Sequence, residues 1–179
     1  MADTAYTNLA LGAHTDTTYF TDPAGLQAFH MLSHTPAPGE TKVSGGASLL
    51  VDGFGAAKMM QKSHPNLFKR LVKTGLPWHA SGNEGISITP NKLYPVIELD
   101  PFGEPHRIRW NNDDRGVVPM GEEDDAAHLA VEEWYEAAQV WNNILTSKDS
   151  EYWVQLKPGT VLSALELASP SMIQLLTLL

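Results

Sequence analysis

The residues best placed to do chemistry are His14 and Asp16, separated by Thr15 and followed by Thr17-Thr18-Tyr19-Phe20. The β-branched and aromatic neighbours favour extended backbone, so this run is predicted to be a strand leaving a turn. Side chains at i and i+2 of a strand share a face, which sets an imidazole beside a carboxylate and turns Thr15 away. Such a pair supplies two of the three protein ligands of a facial 2-His-1-carboxylate site. Its mixed nitrogen and oxygen donors hold Fe(II) and leave positions open for a co-substrate and oxygen. The plain alternative is an ordinary His-x-Asp on a solvated strand. His30 and His34 are read as strand and loop histidines, because no other metal-binding residue surrounds them.

Short elements must position these residues. Pro23-Ala24-Gly25 marks a turn, and residues 26–33 alternate as a strand. Residues 35–46, rich in Pro, Gly and Ser, form a surface loop before a short apolar strand at 47–51. Ala56, Ala57, Met59, Met60, Leu67, Leu71 and Val72 recur at helical spacing, broken at His64-Pro65, which predicts two short helices. Residues 75–90 read as short strands and turns. Residues 96–100 and 106–110 alternate on either side of Pro101-Phe102-Gly103-Glu104, a hairpin pattern. The longest helix opens at Gly121-Glu122-Glu123-Asp124-Asp125, where acidic residues complement the helix dipole. It continues through Ala130, Trp134, Ala137, Ala138 and Trp141. Its acidic opening is a solvated cap rather than a metal cluster. A strand at 152–156, a turn at Lys157-Pro158-Gly159 and a further strand from Thr160 follow. Short strands with a few inserted helices suit a mainly β domain, a distorted double-stranded β-helix of the jelly-roll kind.

The 179 residues suffice for one domain with a real core. A formal net charge of −9, from 12 basic and 21 acidic residues, argues against nucleic acid or an anionic membrane as partner. With no cysteine there is neither a disulfide framework nor a Cys-based zinc site, and no apolar run reaches the length of a membrane span. The first residues have the form of neither a secretory signal nor an Arg-rich transit helix. The expected setting is intracellular, cytoplasmic or mitochondrial.

Several motifs agree in order and spacing with a known family. They are residues 3–11, the His14–Phe20 run, Gly45-Gly46-Ala47-Ser48-Leu49-Leu50-Val51-Asp52-Gly53-Phe54, Arg109-Trp110-Asn111-Asn112-Asp113-Asp114-Arg115 and Leu156-Lys157-Pro158-Gly159. Together they resemble the trimethyllysine dioxygenase and γ-butyrobetaine dioxygenase family of TauD-like iron and 2-oxoglutarate hydroxylases, which serve carnitine biosynthesis. The resemblance covers residues 2 to 162. It implies Fe(II) bound by His14 and Asp16, with 2-oxoglutarate as co-substrate hydrogen-bonded by Ser48 and ascorbate as an optional addition. It implies a small-molecule substrate, N6,N6,N6-trimethyllysine. Tyr6 would offer a π face to the trimethylammonium group, which cannot donate hydrogen bonds. Asp3 would face the α-amino group and Asn111 the carboxylate. The butyrobetaine enzymes carry an amide at the place of Asp3, so Asp3 favours trimethyllysine. A homodimer is the candidate assembly of the full-length family.

The pattern departs after residue 162. The family's third iron ligand is a histidine beyond that point, yet the last histidine is His128, and no Lys or Arg follows Lys157 to pair the distal carboxylate of 2-oxoglutarate. Ser163-Ala164-Leu165-Glu166-Leu167-Ala168-Ser169-Pro170 replaces the family stretch. The expected division is a partial dioxygenase domain at 1–162 and a divergent tail at 163–179. That tail is expected not to complete the roll, leaving an open sheet edge and poor solubility. The family's N-terminal domain is absent as well, so the chain reads as truncated at both ends and weak or inactive as a catalyst. The alternative function is a non-catalytic remnant that binds a ligand or a partner chain.

Overall fold

The computed structural model describes residues 10–36, 38–80, 85, 87–119, 125–165 and 175–178. The element order is β1 (Leu26–His30), β2 (Ser48–Asp52), α1 (Gly53–Ser63), α2 (Pro65–Lys73), β3 (Ile97–Leu99), β4 (Pro105–Ile108), α3 (Asp125–Leu145), β5 (Glu151–Val154), β6 (Val161–Leu165) and β7 (Leu175–Leu178). The strands form three small antiparallel sheets, β1-β6, β5-β2-β7 and β3-β4.

The two short helices follow from local chemistry. Asp52 ends β2 and caps α1, its Oδ1 accepting from the Gly55 amide at 2.9 Å, which satisfies one orphan donor of the first turn. At the other end His64 donates its amide to the Met60 carbonyl, and Pro65 takes the first position of α2. There its missing N–H costs nothing and its fixed φ starts a new helix. Asp52→Ala is expected to lower stability by about 1 kcal/mol, read from the urea midpoint at unchanged slope. An unaltered midpoint would show that the cap is dispensable.

The core lies where the helices meet β2 and the β3-β4 hairpin. Trp134, Ala137 and Trp141 recur at three and four residue steps of α3 and are fully buried, the inward stripe of an amphipathic helix. They pack in one cluster with Met60, Phe68, Leu71, Val51, Ile97, Ile108 and Trp78. Trp110, just past β4, meets Trp141 edge to face with ring centroids 6.4 Å apart. Ala13, next to His14, belongs to the same cluster, so the core reaches the start of the candidate site.

Two expectations change. The His14–Phe20 run is not a strand. His14 is a single bridge residue, Thr17 has φ +55° and Thr18-Tyr19 is a turn. Side chains there take over the backbone groups a ladder would have paired. Second, the three helices hold more residues than the seven strands, so among the described residues the chain is not mainly β. Residues 175–178 of the tail pair antiparallel with β2 on the edge opposite β5, and β5 and β7 are the edge strands of that sheet. β6 spans residues 161–165 and so runs across residue 162. The remainder of the tail, 166–174 and 179, and the acidic residues 122–124 lie outside the described residues. The two short helices, the 97–108 hairpin, the 35–46 loop and the long helix take their expected places. Among the described residues no helix is long and apolar enough to cross a membrane.

Candidate metal centre

His14 and Asp16 come together even without a strand. The His14 ring places Nδ1 2.8 Å from the Gly12 carbonyl. A carbonyl only accepts, so Nδ1 carries the hydrogen and donates it. Nε2 then points to Oδ1 of Asp16, 3.4 Å away. In the neutral imidazole Nε2 is an acceptor, and two acceptors face each other across that gap. A cation between them, a proton on Nε2 or a metal ion, resolves the repulsion. Two ligands each about 2.1 Å from one ion stand about 3 Å apart when cis in an octahedron, so the pair fits a shared ion with little movement. The side chains are 20% and 43% exposed, which leaves the site open to solvent. Asp16 is held below the usual carboxylate range, chiefly by its contact with His14. Burial opposes the shift, and Gln27 and the His14 charge add to it.

The backbone around the pair is fixed from three sides. Thr15, between His14 and Asp16, is buried and bonded twice to Trp110. Its amide donates to the Trp110 carbonyl, and its Oγ1 accepts from the Trp110 amide, both at 2.9 Å. Thr18 donates to Oδ2 of the buried Asp114 at 2.6 Å. Arg109 is fully buried and its guanidinium donates to the carbonyls of Thr18, Phe20 and Thr21 at 2.6, 2.7 and 3.0 Å. It also reaches Glu98 Oε1 at 3.2 Å and lies 4.1 Å from the Tyr94 ring centroid. Burial pulls its pKa below the ordinary arginine value and Glu98 pulls it back up. Five donors in a rigid fork suit three converging carbonyls in a way Lys does not. The turn they hold includes Thr17 in the left-handed region, an outlier for a β-branched residue. Strain of this kind collects at ligand-binding segments.

Gln27 completes the arrangement. From β1 its Nε2 donates to Oδ2 of Asp16. It and Arg109 were not singled out from the sequence as parts of the site. The available signal was a polar residue at an inward position. Along β1, Leu26, Ala28 and His30 are exposed while Gln27 and Phe29 are half-buried.

The other expected residues divide. Asn111 lies beside Trp110, hence close along the chain to the Thr15 pairing. Its Nδ2 donates to Asp114 Oδ2 at 3.1 Å and its Oδ1 accepts from the Asp113 amide at 3.1 Å. Its amide group is therefore engaged within its own loop. Ser48 is buried at the start of β2, opposite Val154, in a different sheet from Gln27. Asp3 and Tyr6 lie outside the described residues. His30 sits on β1, and His34 is a loop residue whose Nδ1 is 3.2 Å from Gln155 Nε2. Among the described residues no group of three or more His, Cys, Asp or Glu side chains is arranged to hold a metal. A nitrogen and a carboxylate oxygen are donors of the kind that Fe(II) takes, and the described residues bring one of each together here.

The taurine catabolism dioxygenase TauD, TfdA family matches residues 1–163. Trimethyllysine dioxygenase of Neurospora crassa is 55% identical, with 89% of this chain and 38% of the relative covered. The human protein named trimethyllysine dioxygenase, mitochondrial, is 40% identical over 89% of this chain and 36% of its own length. Human γ-butyrobetaine dioxygenase is 29% identical, with 89% and 38% covered. The chain spans little more than a third of the length of these curated relatives.

Proposed function

Because this chain belongs to the taurine catabolism dioxygenase TauD, TfdA family, we propose that it forms the iron-binding part of a 2-oxoglutarate-dependent hydroxylase of N6,N6,N6-trimethyllysine. The observation that carries the reading is the geometry of His14 and Asp16. One ring nitrogen is tied to Gly12, and the other faces a carboxylate oxygen 3.4 Å away. Iron and 2-oxoglutarate, when bound, supply the oxidising chemistry: one atom of O₂ enters succinate as CO₂ leaves, and the other becomes the new hydroxyl. His14 and Asp16 hold the ion, and the Thr15–Trp110 pairing with the Arg109 clamp keeps them from turning apart. On this reading Ser48 bonds the co-substrate. Tyr6 receives the trimethylammonium group, while Asp3 and Asn111 take the α-amino and carboxylate groups. The strands are then those of a distorted double-stranded β-helix, with residues 1–162 as its partial domain. The identity to relatives named for trimethyllysine exceeds that to the relative named for γ-butyrobetaine, which favours the first substrate.

A second reading, binding without turnover, is favoured by the two-ligand donor set among the described residues. Succinate release separates the two. This chain alone is expected to release almost none. A chimera in which it replaces the matching segment of the Neurospora crassa relative should release succinate when trimethyllysine is added. His14→Ala in the chimera should abolish this, and Asp3→Asn should raise KM for trimethyllysine with little change for γ-butyrobetaine. A chimera indifferent to His14→Ala would refute the metal reading.

A further inference from the structure

We propose that Gln27 is a positioning residue that sets how Asp16 binds the metal. Its carboxamide keeps Oδ2 of Asp16 engaged, so that the carboxylate gives the ion Oδ1 alone. The proposal rests on the reading of His14 and Asp16 as ligands. The two oxygens of Asp16 are divided between two partners: Oδ1 faces His14 Nε2, and Oδ2 accepts from Gln27 Nε2. A carboxylate is able to bind through one oxygen or two, and the second mode takes up a coordination position that an open site must keep for its ligands. An oxygen already accepting a hydrogen bond is a poorer donor to metal and is not free to swing inward.

The residue type fits the task. An amide donates without bringing charge, whereas Lys or Arg at this place would neutralise Asp16 and repel the ion. The backbone of Gln27 is fixed by the β1-β6 ladder, in which it stands opposite the fully buried Ala164. The small side chain across the ladder leaves room for the longer one. The aim of the carboxamide is therefore set by a paired strand and not by a loop. Ligating carboxylates are themselves commonly hydrogen-bonded, and loss of such a support weakens metal binding by about ten- to a hundredfold.

The test titrates the chain with Co(II) as a spectroscopic stand-in for Fe(II), following affinity by calorimetry and coordination by visible absorption. The native chain should bind Co(II) in a manner lost in His14→Ala. Gln27→Leu should bind about tenfold more weakly or worse, with an altered visible band as Asp16 turns both oxygens to the ion. If Gln27→Leu keeps the native affinity and band, Gln27 has no such role while the metal site stands. If the native chain binds no better than His14→Ala, the metal reading fails and this proposal with it. A second measurement uses the native chain alone, so it holds even where Gln27→Leu does not fold. The side-chain amide protons of Gln27 should keep their hydrogen-bonded NMR positions when diamagnetic Zn(II) is added. Movement to the positions of a free amide would overturn the proposal.

Discussion

Arg109→Met is expected to cost about 3–5 kcal/mol, enough to leave much of the chain unfolded at ambient temperature. Methionine nearly fills the volume, so the loss is not mainly one of packing. The carbonyls of Thr18, Phe20 and Thr21, together with Glu98, remain where they are and lose their donors. Exchanging a whole buried ion pair for apolar residues is often harmless, but removing one member of it is not. Arg107→Met makes the contrast. Its partner Asp22 is 84% exposed, so the change should stay within about 1 kcal/mol. Chemical denaturation of both variants, followed by circular dichroism, checks the pair of expectations. Equal midpoints would mean that water reaches the three carbonyls and that Arg109 is no clamp.

The other large effect concerns the metal itself. His14→Ala or Asp16→Ala should weaken binding of a divalent ion by more than about a hundredfold, beyond the range typical of supporting residues. A ligand that binds only the folded state stabilises it by mass action, by about 2.7 kcal/mol at a hundred times its Kd. Anaerobic Fe(II) should therefore raise the melting temperature of the native chain and leave both variants unmoved. The variants without metal should melt close to the native chain, because both side chains are partly exposed and Thr15 still holds the segment to Trp110. A melting point raised equally in all three chains would place the binding of iron elsewhere.

Much of the local structure was legible because its causes are local. Pro65 breaks one helix and starts the next, whatever surrounds it. The turn at Pro101–Glu104 closes a hairpin through Asp100, whose Oδ1 accepts from the amides of Phe102 and Glu104. The Trp134–Ala137–Trp141 stripe is a matter of period alone. His14 and Asp16 were legible as a pair too, but for a reason that differs from the structure's. Their spacing suggested one face of a strand, whereas the pair, 3.4 Å apart, lies outside any of the named strands, in a segment held by Trp110 through Thr15.

That difference marks what tertiary structure decides. Strand preference in the Thr-rich run was overridden by partners far along the chain: Trp110 for Thr15, Asp114 for Thr18, and Arg109 for three carbonyls. None of these partners is visible in a local window, since each lies some ninety residues away. The same holds for Gln27, an ordinary polar residue until β1 pairs with β6 and its amide meets Asp16. It holds for residues 175–178, mostly leucine and unremarkable in sequence, which become the second neighbour of β2. Residue type and short spacing determine which groups are able to bind a metal or end a helix. Which backbone groups are left to be satisfied, and by whom, is decided only when distant segments meet, because a buried N–H or carbonyl takes whatever partner the packed chain brings to it.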